Sequence, residues 1–279
     1  MTAWIRRHPL VAFLSLAYLG SWIGWSPWWL SASGLAALPY QLPLPAIAAI
    51  NQLGLFAGPF AAALLVTHLT AGPAGRRALL RRLVHWRAHP GWYALALLAI
   101  PVATALGYLL TTPTAPTAAA ALLPITYATY LIGGPIQEEP GWRGVALPHL
   151  QRRLHPLPAA LLLGVVHCFW HAPLFLIREW DTARSDPGQL LAYLVLTVSL
   201  SVVLSWLTNG SGGSLLLAIL GHNSVNWALF AVATLTGHPV ATTWPAALGL
   251  TLLAVVAARF LPGTASATST DSRSETKQA

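Results

Sequence analysis

About eight apolar runs follow one another along this chain, each near the roughly 20 residues that an α-helix needs to cross a hydrocarbon layer about 30 Å thick. They fall near 8–30, 44–70, 91–111, 119–150, 157–177, 188–208, 213–236 and 244–261, the fourth being long and interrupted. The first opens behind Arg6 and Arg7 and passes Ser31-Ala32-Ser33, as a secretory signal does; its length and its Trp25, Trp28 and Trp29 favour a retained span. Only 8% of the 279 residues are charged, against about 25% in soluble domains, so the chain cannot clothe itself for water. The expected fold class is all-α: a polytopic membrane protein of about eight transmembrane helices enclosing a polar intramembrane cavity, over residues 1–262. Residues 263–279 are rich in Ser, Thr and Ala and lack large apolar side chains; they are expected to form a disordered cytoplasmic tail.

The net charge of +8 does not point to nucleic acid, because the basic residues sit at the ends of apolar runs and form no continuous patch. They read as topology signals. With the N-terminus in the cytoplasm, 13 of the 15 Lys and Arg fall inside and only Arg178 and Arg184 outside, which favours both termini inside and an even number of spans. The plasma membrane is the compartment expected of a bacterial or archaeal chain. Trp86, Trp92, Trp180, Trp206 and Trp244 lie near span ends, where aromatic belts form. The stretch from Gly75 to His89, with five Arg among Leu, Val and Trp, reads as a helix along the inner surface or a solvated loop. The single cysteine, Cys168, excludes an intrachain disulfide framework and a thiolate metal cage.

Ionisable side chains inside a span cost about 2.5–3.5 kcal/mol each on insertion scales, so three clusters demand a reason. They are Glu138-Glu139-Pro140-Gly141-Trp142-Arg143, His167-Cys168-Phe169-Trp170-His171 and His222-Asn223-Ser224-Val225-Asn226, each in a different run. Counted from the inner end, His171 and Glu138 lie about 20 Å deep and His222 about 14 Å. Shared depth implies one polar cavity, expected to open toward the cytoplasm. Within the first cluster Glu139 and Arg143 are four apart and can face each other, while Glu138 is turned about 100° away. Two adjacent carboxylates in a low dielectric do not both ionise cheaply; Arg143 is expected to hold Glu139 charged as a structural pair, leaving Glu138 to react. His222 and Asn226, one turn apart, aim two donors at a common point.

These clusters in this order resemble the CAAX protease and bacteriocin-processing family of intramembrane proteases, the CPBP or Abi family, with its EExxxR, FxxxH and HxxxN or HxxxD motifs. Glu138, Glu139 and Arg143 match the first, Trp170-His171-Ala172-Pro173 the neighbourhood of the second, and His222 and Asn226 the third, over about residues 125–230. The resemblance implies peptide hydrolysis, with Glu138, His171, His222 and Asn226 as catalytic residues and Glu139 and Arg143 in support. It implies a membrane-bound protein or peptide substrate, lipidated for eukaryotic relatives, and no nucleic acid. One position departs from the pattern: His167 stands where an aromatic residue is common. The HxxxH so formed adds His167 to Glu138, His171 and His222 as candidate ligands for zinc, which takes three or four N or O donors; alternatively His167 packs as an aromatic and gives its N–H to a backbone carbonyl. The preferred expectation is metal-free: Glu138 as general base on a water that His171 also holds, with His222 and Asn226 donating to the oxyanion. Two rivals remain, a proton-coupled transporter and a non-catalytic scaffold or immunity factor.

Overall fold

The computed structural model describes residues 2–114, 118–178, 180 and 186–261; the expected tail, with Glu179, Asp181 and Arg184, lies outside the described residues. Among the described residues there is helix and no strand. Hydrocarbon offers no partner to a backbone N–H or C=O, so each apolar run closes its bonds internally as a helix. Leu44–Leu83, Pro90–Thr111, Ala119–Gln151, Pro187–Gly210 and Leu215–Thr236 are long and apolar enough to cross a membrane, and three shorter apolar helices, Pro9–Gly24, Pro156–Trp170 and Trp244–Arg259, fill the places of the other expected runs. The chain is an all-α, multi-pass membrane protein, with five spans by length among the described residues where the sequence pattern suggests about eight.

The helices that position the site are α1 (Pro9–Gly24), α2 (Leu44–Leu55), α3 (Ala61–Leu83), α4 (Ile100–Thr111), α5 (Leu123–Leu131), α6 (Pro135–Gly141), α7 (Pro156–Trp170), α8 (Pro187–Gly210), α9 (Leu215–Thr236) and α10 (Trp244–Arg259). Proline opens most of them, where its missing N–H has no intrahelical partner to lose. Side-chain oxygens of Asp186 and Ser214 cap α8 and α9, and Gly237 ends α9 in the left-handed region at φ 71°. The long runs are broken at identifiable places. A π turn around Pro59 joins α2 to α3, and Gly72, at φ 67° and ψ −167°, bends α3. Past that bend the arginine-rich stretch is helix as far as Leu83, with Leu79 buried and Arg76, Arg77 and Arg81 exposed. The fourth run breaks at Gly133-Gly134 between α5 and α6.

Packing divides into two apolar clusters. Phe13, Trp25, Trp142, Leu147, Leu163 and Trp170 belong to the first, around α1 and α3; Ile100, Leu200, Leu204, Leu217 and Leu250 belong to the second, among α4, α8, α9 and α10. Helix α7 contributes to both. Small residues let backbones touch: a Cβ on Gly164 would stand 2.5 Å from Val198 Cα, and one on Gly249 would stand 1.8 Å from the Ala103 carbonyl oxygen. Large apolar side chains such as Ile23, Leu110 and Leu252 face outward, as a lipid surface requires.

One end of the bundle is clamped by Arg82. Its Nε donates to Gly213 O at 2.7 Å, Nη2 to Arg143 O at 3.2 Å and Nη1 to Gly144 O at 3.3 Å. Pro148 explains the need, since it has no amide hydrogen to offer the carbonyl of Gly144 four residues earlier. Ser214 Oγ adds a bond to His85 O at 2.6 Å. At the opposite end Arg178 bonds the backbone of Ala32 and Ser33, and Tyr108 and Gln189 both bond Thr242. Arg82→Ala leaves up to three carbonyls unpaired and is expected to destabilise the protein by about 2–3 kcal/mol, with Arg82→Lys intermediate; thermal unfolding in detergent checks this.

Candidate active site

Helix α6 is short and rigidly started: Gly134 O accepts from the amides of Gln137 and Glu138. Gln137 Nε2 donates to Gln52 Oε1 and to Ile132 O, each at 2.8 Å, and Gln52 Nε2 donates to the same carbonyl. The broken fourth run is thereby tied to α2 just before the acids. Consecutive residues on a helix diverge by about 100°, and the two glutamates do so. Glu139 turns toward Arg143 and α9, Glu138 toward α7.

Glu139 Oε1 accepts from Arg143 Nη1 at 3.0 Å and from His222 Nδ1 at 2.7 Å, with all three side chains buried. Glu139 Oε2 and Arg143 Nε and Nη2 have no protein partner, so one oxygen carries the whole junction. Glu138 Oε2 accepts from His167 Nε2 at 2.8 Å. Its Oε1 lies over Gly134, where a Cβ would stand 2.7 Å away. His171 Nδ1 donates to the His167 carbonyl at 3.2 Å, which makes Nε2 the unprotonated nitrogen of its neutral ring.

Glu138, His167 and His171 each place one donor atom within 4.8 Å of the others. Three atoms so spaced share a point within 4.8/√3, about 2.8 Å, of each, which is hydrogen-bond distance for a water. The donor set of one carboxylate and two imidazoles also suits zinc. It differs from the expected set in one member: His222 is turned to Glu139 and lies outside this group, and His167 is inside it. The alternative role for His167, an N–H given to a backbone carbonyl, belongs instead to His171; the His167 N–H goes to Glu138.

The imidazoles sit among aromatic rings. His171 stacks on Trp180 with centroids 5.4 Å apart and on His167 at 5.2 Å, with Tyr193 edge-on at 5.6 Å and Trp142 against His167 at 5.0 Å. Trp180 read as a belt residue in the sequence, and Trp142 and Tyr193 carried no signal beyond being aromatic. Cys168 is buried in the second apolar cluster. The third motif splits by helix face. His222 and Asn226 line the cavity, whereas Asn223 Nδ2 donates to Tyr127 O, Ser224 bonds the Tyr127 hydroxyl, and Trp227 Nε1 donates to Leu123 O. The second face anchors α5.

A cavity of about 440 Å³ stands over these groups, with Glu138, His167, His171, His222 and Asn226 at its polar part and Leu55, Leu229, Phe230 and Ala233 among its apolar walls. It extends to Pro239, Val240 and Thr243, in the segment joining α9 to α10. That is the end away from Arg82. The cavity therefore extends away from the arginine-bearing end. Depth along a helix places a side chain but does not say which end of the bundle is closed, and here the Arg82 clamp closes the arginine end. Arg143→Ala strips Glu139 of its ion pair and leaves a buried carboxylate with only His222; a loss of about 3–5 kcal/mol is expected, measured as a lower unfolding temperature and lower abundance in membranes.

Residues 119–228 match the family model for the Rce1-like type II CAAX prenyl endopeptidases. CAAX prenyl protease 2 of Methanococcus maripaludis is 27% identical over 92 residues, which are 32% of this chain and 34% of that protein. The chain thus spans about a third of the length of the curated relative it matches. All three polar clusters fall within the matched segment.

Proposed function

With its motif-bearing segment belonging to the CPBP family of CAAX proteases, we propose that this chain is an intramembrane endopeptidase that cleaves a membrane-bound protein or peptide with an activated water. The observation that carries this reading is the convergence of Glu138, His167 and His171 on one point beneath an apolar cavity. A transport path would string its polar groups across the bilayer; these meet at one level.

Glu138 is the general base. The His167 N–H steadies one oxygen of its carboxylate, and the water lies within reach of Glu138 and of the His171 ring. As the base takes the proton, the hydroxide attacks the scissile carbonyl, and negative charge gathers on the carbonyl oxygen. Asn226 and His222 donate to that oxygen. His222 already gives its Nδ1 hydrogen to Glu139, so donation from Nε2 requires the doubly protonated ring, the form that pairs with a carboxylate. Protonated Glu138 then delivers its proton to the leaving amine. Hydrolysis so run needs no covalent enzyme intermediate, and Ser224, whose hydroxyl is bonded to Tyr127, takes no part.

The same donors could hold zinc. Glu138, His167 and His171 would be the ligands, His167 giving up the proton it shares with Glu138, and the bond from His171 Nδ1 to the His167 carbonyl would fix that ring as ligating imidazoles are usually fixed. A metal there would make its bound water more acidic.

Glu138→Gln and His171→Ala should each abolish cleavage, by at least about 10²–10⁴-fold, while leaving insertion and abundance intact; Asn226→Ala should lower turnover by about 10²-fold. Near-normal turnover of Glu138→Gln, measured on candidate membrane peptides, would remove the general base from the scheme. Metal analysis of the purified protein, paired with activity after strong chelation, separates the two versions. The metal-free version expects unchanged turnover, and stoichiometric zinc lost together with activity would overturn it.

A further inference from the structure

Away from Glu138 and its neighbours, a second groove of about 400 Å³ opens on the surface, lined by His89, Gly91, Trp92, Leu95 and Trp206. It belongs to the end of the bundle that Arg82 clamps: His89 follows the His85 carbonyl bonded by Ser214, and Trp206 lies one turn before α8 ends at Gly210. From His89 to Leu95 the span rises by about 9 Å, so the groove runs from the membrane interface into hydrocarbon. An aromatic belt also places indoles near span ends, but these two are built into a fixed shape. Trp92 and Trp206 meet edge-on with centroids 5.3 Å apart, and Phe260 stacks on Trp206 at 6.2 Å. A Cβ on Gly210 would stand 2.2 Å from Trp92 Cζ2, so that glycine makes room for the ring. Tyr93 Oη donates to the Trp86 carbonyl and holds the preceding segment against the span.

The side-chain polar atoms left over here are donors. His89 Nδ1 accepts from the Gly91 amide at 3.1 Å, which leaves the proton of the neutral ring on Nε2. That N–H, and Nε1 of Trp92 and of Trp206, have no partner among the described residues. Arg87, its guanidinium 5.5 Å from the Trp86 ring, and Arg259, next to Phe260 in the chain, flank these residues and are exposed. The described carboxylates are elsewhere: Glu138 and Glu139 are buried, and Asp186 caps the opposite end of α8. Donors beside an apolar floor call for a ligand that is anionic at one end and hydrocarbon at the other. We propose that the groove holds one anionic phospholipid, its phosphate met by Arg87, Arg259 and the His89 N–H, with an acyl chain on Trp92, Leu95 and Trp206. Guanidinium forks match phosphate oxygens, and the groove has the volume of a small-molecule site. Free phosphate would leave the indole floor bare, and a zwitterionic lipid would bring an ammonium beside two guanidiniums. The bound lipid ties the segment after α3 to the ends of α8 and α10.

The groove shares no residue with the site of Glu138, so this assignment is independent of the endopeptidase reading. Native mass spectrometry of the full chain tests it, with the protein released from mixed micelles holding equal amounts of phosphatidylglycerol and phosphatidylcholine of matched acyl chains. The native chain should retain one phosphatidylglycerol in preference. Arg87→Gln with Arg259→Gln should lower that preference by about fivefold for each guanidinium removed; Arg87→Gln alone serves if the pair folds poorly. Arg76→Gln with Arg77→Gln, on the exposed face of α3, should leave the retained lipid in place. Equal retention of the two lipids by the native chain overturns the proposal. So does an equal loss from both arginine pairs, which would mark diffuse charge with no defined site. Millimolar glycerol 3-phosphate should not displace the lipid, and displacement would overturn the assignment in favour of a free-phosphate site.

Discussion

Glu139 Oε1 is the atom on which the site depends. A carboxylate away from water costs several kcal/mol unless it is paired and hydrogen-bonded, and here a guanidinium from the same helix and an imidazole from α9 both donate to that one oxygen. The junction fixes the rotation of α6 about its axis. Once Glu139 faces α9, its neighbour Glu138 must face α7, where His167 waits. The same bond orients His222 and, one turn on, Asn226. In the proposed mechanism each reactive group is therefore placed by a group that does not react.

Much of this was legible in the sequence because polar atoms in an apolar run have few explanations. The helical class, the three clusters and the divergence of Glu138 and Glu139 toward different partners all follow from spacing and from the cost of buried charge. Other features were hidden for stated reasons. The partner of His167 is set by how α7 is rotated against α6, which no local pattern encodes. Trp142, Trp180 and Tyr193 surround the imidazoles, yet with 13 Trp in the chain an aromatic residue is no signal by itself. Arg82 looked like one basic residue among several, and its use became visible only beside the carbonyl that Pro148 leaves unpaired. Gln52 and Gln137 were a missed signal: two amides in greasy runs were as informative as the histidines, and they bond each other. The end of the bundle toward which the cavity extends was hidden because the depth count carried no information on closure.

The match to known proteases covers the three polar clusters and stops short of part of the cavity. Trp25, Asn51 and Leu55 from the N-terminal helices, and Phe230, Val240 and Thr243, form walls outside the matched segment. Other walls, Leu174, Trp180, Tyr193, Leu196 and Leu200 among them, lie inside it.

The central claim is that Glu138, His167 and His171 hold a reacting water between them. An experimental density map of the native protein at a resolution that shows ordered solvent, with anomalous data at the zinc edge, tests it directly. The account predicts one solvent peak within hydrogen-bonding distance of the Glu138 carboxylate and the His171 ring, without an anomalous signal. Side chains packed into that point, or a His171 ring turned away from Glu138, would contradict it.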